Sequence, residues 1–186
     1  MAQARRRRIE DELKGLFGFA LALSGDRGQA EELVQETVLQ ALSARQVPDS
    51  AGAFRAWLFR QLRSAAGEAR RASRHMTPTE PEKLAERIDG TQSLAAAGDA
   101  LADVLTLRAA LARLKPAQRE IVALVDIAGF RYAEVAELLG VPVGTVMSRV
   151  CRARAALAQE VAGSVAERVA GTNVLPLAAA RAGRGG

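Results

Sequence analysis

Aromatic residues make up only 4% of this 186-residue chain, and cysteine, histidine, tryptophan and tyrosine occur once each. A core must therefore be built mainly from Leu, Val and Ala, a composition that favours helices almost everywhere. The single Cys151 excludes an internal disulfide and fits a reducing compartment. One His and one Cys cannot supply the ligand types of a zinc site. No nucleophile pairs with a base, and no glycine-rich phosphate loop is present, so the sequence offers no support for an enzyme or for a bound cofactor. There is no apolar run long enough to cross a membrane. The arginines Arg5 to Arg8 lead into Glu10, Asp11 and Glu12, not into the apolar stretch of a secretory signal. A soluble, cytoplasmic protein with no membrane partner and no small-molecule substrate is the expectation.

Charge is plentiful, with a net excess of +5, and it is unevenly placed. Between Phe54 and His75 stand six arginines and one acid, Glu68. Between Thr77 and Asp103 stand six acids, with Lys83 and Arg87. The order basic, acidic, basic suggests two contacts with a polyanion and a connector that avoids it, where ordinary surface charge is the simpler alternative.

The most informative stretch is Arg131–Leu157. Val135, Leu138 and Leu139 give a short helix an apolar face. Gly140 suits the position beyond its end, and Pro142 the start of the next helix. There Val143, Val146, Val150 and Leu157 recur at helical spacing, while the outward side carries Thr145, Met147, Ser148, Arg149, Arg152 and Arg154 with no acid between Val143 and Gln159. This is the pattern of a helix-turn-helix that lays its second helix in the DNA major groove. The alternative is an amphipathic hairpin with a solvated basic face.

Upstream, Ile9, Leu13, Leu16, Phe17, Ala20 and Leu23 mark a first helix over about Arg8 to Ser24. Asp26 caps a second, marked by Ala30, Leu33, Val34, Thr37, Val38 and Leu42, with Glu31, Glu32, Gln35 and Glu36 on its polar side. A polar loop, Arg45–Ala53, leads to a third helix over about Ala53 to Ala72. Phe54, Trp57, Leu58 and Leu62 face its core side, with arginines around the rest. Trp57 fits a core anchor better than a base-stacking platform. The acidic segment with Gly90 and Gly98 reads as a flexible connector. Leu101, Val104, Leu105, Leu107, Leu111 and Leu114 open the C-terminal half, and Pro116 starts a helix ending near Ala128-Gly129. The fold class is all-α: two small helical domains joined by a flexible acidic linker, the C-terminal one a helix-turn-helix. The expected boundaries are 1–76, a linker 77–100, 101–161, and a flexible tail 162–186, into which a frayed extension of the last helix is expected to reach as far as Val169.

Two runs, LFGFALALSGDRGQAEELVQETVLQAL with AFRAWLFRQLRSAAGEARR, and LRAALARLKPAQREIVALVDIAGFRYAEVAELLGVPVGTVMSRVCRARAAL, resemble the bacterial extracytoplasmic-function (ECF) sigma factors. The resemblance implies a chain that directs core RNA polymerase to promoters and performs no catalysis itself. It implies polymerase contact, through the largest-subunit clamp helices and the flap, with Glu32, Gln35 and Glu36 on the clamp-docking helix. The Arg45–Ala53 loop and Arg55, Arg60, Arg63, Ser64, Arg70, Arg71 and Arg74 then take the melted −10 strand. Thr145, Met147, Ser148, Arg149, Arg152 and Arg154 face the −35 duplex. An anti-sigma factor as regulator, and a link to stress response, are implied in the same way. The chain departs from many relatives at Met147, where Lys is common, and at Ser64 and Glu68, where Asn and Asp are common. Two other readings stand beside this one: a stand-alone helix-turn-helix regulator, and a sigma-like decoy for an anti-sigma protein.

Overall fold

The structure, a computed structural model, describes residues 2–76 and 99–171, and every regular element among them is helical. The expected linker over 77–98 and the tail from 172 onward lie outside the described residues.

Three helices form the N-terminal half: α1 (Ala2–Ser24), α2 (Arg27–Ser43) and α3 (Ala51–Met76). Asp26 separates the first two as expected. Its backbone is extended (φ −126°, ψ 135°) and its carboxylate accepts a hydrogen bond from Gln29 N–H at 2.8 Å, which satisfies one donor that a helix start leaves unpaired. Cations close the other end of α2. Arg5 donates to the carbonyls of Leu42 and Ala44 at 3.1 and 2.8 Å, where the helix presents its negative pole. One turn along α1, Arg8 donates to the carbonyls of Pro48 and Ser50 at 2.9 and 3.0 Å and lies over the Phe54 ring. The loop between α2 and α3 is thus held by α1.

The C-terminal half comprises α4 (Asp99–Arg113), α5 (Pro116–Val122), a π-helical turn (Ala123–Ile127), α6 (Tyr132–Leu139) and α7 (Val143–Gly171). The helix expected to run unbroken from Pro116 to about Ala128 changes register at Ala123. There Ala128 N–H reaches back to Ala123 O at 2.8 Å, and Phe130 N–H to Leu124 O at 3.0 Å. Wide turns of this kind re-aim side chains within a helix. Gly129 (φ 74°) then reverses the chain, and Gly140 (φ 66°, ψ 39°) makes the left-handed bend between α6 and α7, a conformation costly for any residue with a Cβ. Arg131 and Lys115 precede α6 and α5. Their side chains are cationic and cannot accept from the helix N–H groups, so only the reverse half of each cap forms: Arg131 N–H donates to Glu134 Oε2 at 2.7 Å, and Lys115 N–H to Gln118 Oε1 at 3.2 Å.

The two halves share one core. Leu16, Phe19, Phe54, Leu58, Phe59 and Leu62 from the first are continuous with Ile121, Leu124, Phe130, Val135, Val146 and Val150 from the second. Phe59 bridges them, 5.5 Å from the Phe19 ring and 4.8 Å from Phe130, edge to face. Several periodicity readings shift as a result. Phe19 and Phe59 are fully buried because α1 and α3 each pack on two sides, whereas Leu13 and Leu42 are exposed. On α7 the core face is Val146, Val150 and Ala153, while Val143 points outward. Helix α7 continues to Gly171, close to Val169 where its frayed extension was expected to end, and α4 starts at Asp99, within the last two residues of the expected linker.

Candidate nucleic-acid interface

Helix α7 owes its position to the buried stripe Val146, Val150 and Ala153, each at most 1% exposed. That seating turns Met147, Ser148, Arg149, Arg152 and Arg154 to the surface, with Thr145 at the edge of the face. Ser148 Oγ donates to Thr145 O at 3.0 Å, and Arg152 Nε donates to Ser148 O at 3.2 Å, so both polar groups lie along the helix surface. Met147 is 54% exposed and Val143 43%, and together with exposed Cys151 they add an apolar stripe at four-residue spacing to the basic face. Arg154 differs from its neighbours. Its guanidinium grips Asp126 of the π turn, with Nε 3.1 Å from Oδ2 and a second, shorter contact to Oδ1. That pairing raises its pKa above the ordinary arginine value. Arg154 therefore braces α7 against the π turn.

Helix α3 presents the second basic face. Arg60, Arg63, Ser64 and Arg71 are exposed, share one side, and have Arg70 at its edge. The backbone of Arg74 continues that face, and its side chain lies outside the described residues. Arg55 does not belong to it. It stands about 140° round the helix from Arg60 and turns toward the C-terminal half. There its guanidinium lies 4.2 Å over the Phe130 ring and donates to Ala128 O. Its Nε is 3.0 Å from Glu12 Oε2, within ion-pair reach but outside hydrogen-bond alignment. Arg63 is shared: part of the exposed face, it also pairs with Glu120 of α5. Ser64 donates to Glu68 at 3.2 Å. Trp57 is half-buried, its ring 5.9 Å from that of Phe54.

On α2, Ala30, Leu33, Thr37 and Ala41 are buried, which leaves Glu32, Gln35 and Glu36 exposed together on the opposite side. Leu39, 59% exposed, completes that stripe. Sequence reading passed over it, though its position off the buried repeat was the available signal. Arg5 and Arg8, the loop clamps, were also missed; they stand in an unbroken run of four arginines, Arg5 to Arg8, so the sequence did not single them out. Among the described residues no three His, Cys, Asp or Glu side chains gather as a metal site, and no helix is long and apolar enough to cross a membrane.

Two outward basic faces, one on a helix-turn-helix and one on a helix beside a clamped loop, thus stand on a single chain. Residues 8–75 match the family described as Sigma-70 region 2, and residues 105–157 that described as Sigma-70, region 4. Over 142 residues the chain is 35% identical to the ECF RNA polymerase sigma factor EcfG of Rhodopseudomonas palustris (strain TIE-1), covering 76% of each. Over 141 residues it is 36% identical to the ECF RNA polymerase sigma factor SigC of Mycobacterium tuberculosis (strain CDC 1551 / Oshkosh), covering 74% of this chain and 72% of the relative. It is similar in structure to the sigma factor RpoE in its co-crystal with the anti-sigma factor NepR from Bartonella quintana. The TM-score is 0.61 at 27% identity, over 84% of this chain and 95% of that one.

Proposed function

We infer the role of this chain from its membership: it belongs to the ECF RNA polymerase sigma factors. It functions as a promoter-specificity subunit, working with core RNA polymerase and promoter DNA in the cytoplasm under the control of an anti-sigma factor. Chemistry stays with the polymerase, and this chain supplies recognition without catalysis. The observation that carries the reading is the pair of region matches, 8–75 and 105–157, in that order on one chain whose helices offer a basic outward face in each.

We assign residues 1–76 to polymerase docking and the −10 element, 77–100 to the connection, and 101–161 to the −35 element. Glu32, Gln35 and Glu36, with Leu39 among them, form the polymerase-docking stripe, since an apolar centre within a polar rim is the usual form of a docking surface. Arg60, Arg63, Ser64, Arg70, Arg71 and Arg74 form the track for the melted strand, joined by Arg55 when it leaves Phe130. A single strand needs cations along its backbone and flat groups beneath its bases, and the clamped loop lies at the start of that track. Thr145, Met147, Ser148, Arg149 and Arg152 enter the −35 major groove. Met147 supplies apolar contact of the kind that meets a thymine methyl group, and Arg154 lies at the border, braced by Asp126.

The test is charge reversal. The double variant Arg149→Glu, Arg152→Glu is expected to retain binding to core polymerase while losing promoter-specific initiation. Unchanged initiation would remove α7 from the −35 contact. A chain that failed to bind core polymerase at all, as wild type, would end the sigma reading.

A further inference from the structure

The four arginines Arg5 to Arg8 open α1 as one run, and the fold uses them in two ways. Arg6 and Arg7 are exposed, whereas Arg5 and Arg8 are half-buried. Residues three apart on a helix share a side, and this side meets the main chain that connects α2 to α3. Arg5 Nη1 donates to the carbonyls of Ala41, Leu42 and Ala44 at 3.3, 3.1 and 2.8 Å. Arg8 Nη2 donates to those of Pro48 and Ser50 at 2.9 and 3.0 Å. Each arginine thus pins one end of a short loop. Both act wholly within the N-terminal half and make no bond across the seam between the two halves. Arg5 precedes the segment that matches region 2, and Arg8 is the first residue of it.

Between the pins, Val47 and Pro48 are half-buried, with Val47 packed on the core. Arg45, Gln46 and Asp49 are exposed and have no hydrogen-bond partner among the described residues. The second pin continues into α3. Ser50 O also accepts from Phe54 N–H at 2.9 Å, and Ser50 Oγ accepts from Ala53 N–H at 3.2 Å. The Arg8 guanidinium lies 4.0 Å over the buried Phe54 ring, which stacks on Trp57 at 5.9 Å. Arg8 therefore ties the loop and the first turn of α3 into one unit. A planar guanidinium can serve two carbonyls and lie flat on a ring at once; an ammonium keeps the charge but loses the fixed fork and the flat face.

We propose that Arg5 and Arg8 are positioning residues for strand recognition. By fixing the backbone of residues 44–50 they hold Gln46 and Asp49 in the one arrangement that distinguishes a base, and so set how sharply this chain discriminates there without touching DNA. The proposal rests on the assignment of this loop and the α3 face to the −10 strand. Its physical ground is that a loose loop must be ordered on binding and can offer its polar groups to any base edge, whereas a loop held in place beforehand is matched to one. Both arginines bond only main-chain oxygens, so the clamp fixes the shape of the loop and leaves its outward side chains unengaged.

The test uses holoenzyme reconstituted from core polymerase and the full chain, on promoters taken from the start sites the chain itself creates. Each of the four bases is placed in turn at every non-template position of a pre-opened −10 element, and initiation rates are compared. Wild type is expected to show a position where the best and worst bases differ roughly tenfold or more. Arg8→Lys, and separately Arg5→Lys, are expected to shrink that ratio to about threefold or less at that position alone, with core binding and the other preferences as in wild type. Arg6→Ala with Arg7→Ala, in the exposed neighbours, is expected to leave the ratio unchanged. Should lysine preserve the clamp, the double variant Arg5→Ala, Arg8→Ala removes it, and a ratio unchanged there overturns the proposal. So does a wild type with no such position, or a loss of preference spread over every position. Rates that fall equally for all four bases, with a shallower salt dependence, would make these arginines phosphate contacts and overturn it too. Absence of promoter-specific transcripts with wild type ends the sigma reading and the proposal with it; the other outcomes, seen in active holoenzyme, end the proposal alone.

Discussion

Arg119 is the one charged residue among the described residues that is buried, at 7% exposed. Its guanidinium donates to the carbonyls of Ala112 at 2.7 Å and Leu114 at 3.1 Å, which lie at the C-terminal end of α4, where carbonyls lack helical partners. A cation there also meets the negative pole of the helix. Hydrogen bonds to a charged group contribute about 1.5–3 kcal/mol each. Against this stand the desolvation of the charge, the unpartnered Nε and repulsion from Arg70. These oppose the ion but leave it protonated, since arginine does not lose its proton in proteins. Arg119→Ala removes both bonds and the buried stem, and a net loss of about 3 kcal/mol is expected. Arg119→Met restores the packing and relieves the desolvation but still strands two carbonyls, so its expected loss is about 1–2 kcal/mol. Thermal unfolding followed by far-ultraviolet circular dichroism should place the midpoints in the order wild type, Met, Ala. The Ala variant should lie roughly 6–12 °C below wild type. A Met variant as stable as wild type would mean that desolvation cancels the two bonds, and the account of the α4–α5 junction would be wrong.

Three further outcomes follow from single residues. Thr37 is fully buried and its hydroxyl donates to Leu33 O at 2.8 Å, a carbonyl already bonded within α2. Thr37→Val therefore strands nothing and should change stability by less than about 1 kcal/mol in urea unfolding, in the stabilising direction. Gly140→Ala meets open space but must hold φ at 66°, and should cost about 1–2 kcal/mol by the same measurement. The Glu134 carboxyl is held below its ordinary range by the hydrogen bond from the Arg131 side chain, then by the Arg131 N–H, with the charges of Arg131 and Arg55 assisting against burial. A lowered folded pKa stabilises above the unfolded value, about 4.3, and that stabilisation is lost as pH falls through the folded value. The stability difference between wild type and Glu134→Gln, at most about 1 kcal/mol at neutral pH because the partner Arg131 is solvent-screened, should therefore vanish in acid, as thermal midpoints across pH will show.

The helices were legible because capping residues and apolar repeats agreed locally. Asp26, Gly140 and the Val146–Val150 stripe stand where the pattern put them, and all-α architecture followed from composition. What the pattern missed lies along the seam. Phe19, Phe59 and Phe130 are buried by contacts between residues far apart in sequence, and no single-helix period reports a second packing face. The π turn was hidden for a similar reason, since the apolar run through Ile121 to Val125 reads the same in either helical form. Val143 was assigned to the core because it continues the valine repeat, but it precedes the first residue that α6 can cover. The site was legible as charge: the arginines on α3 and α7 do form two faces. Which of them are engaged was not, because Arg55, Arg63 and Arg154 find Phe130, Glu120 and Asp126 only in the folded chain.

The central claim is that this chain gives core RNA polymerase a promoter preference through two separate contacts. The most direct measurement is sequencing of RNA 5′ ends made in vitro on fragmented genomic DNA by core polymerase with and without the purified protein. The account requires new start sites that appear only with the protein, share two upstream sequence elements at fixed spacing, and disappear with Arg149→Glu, Arg152→Glu. Start sites that do not change when the protein is added, or that share no paired elements, would contradict it.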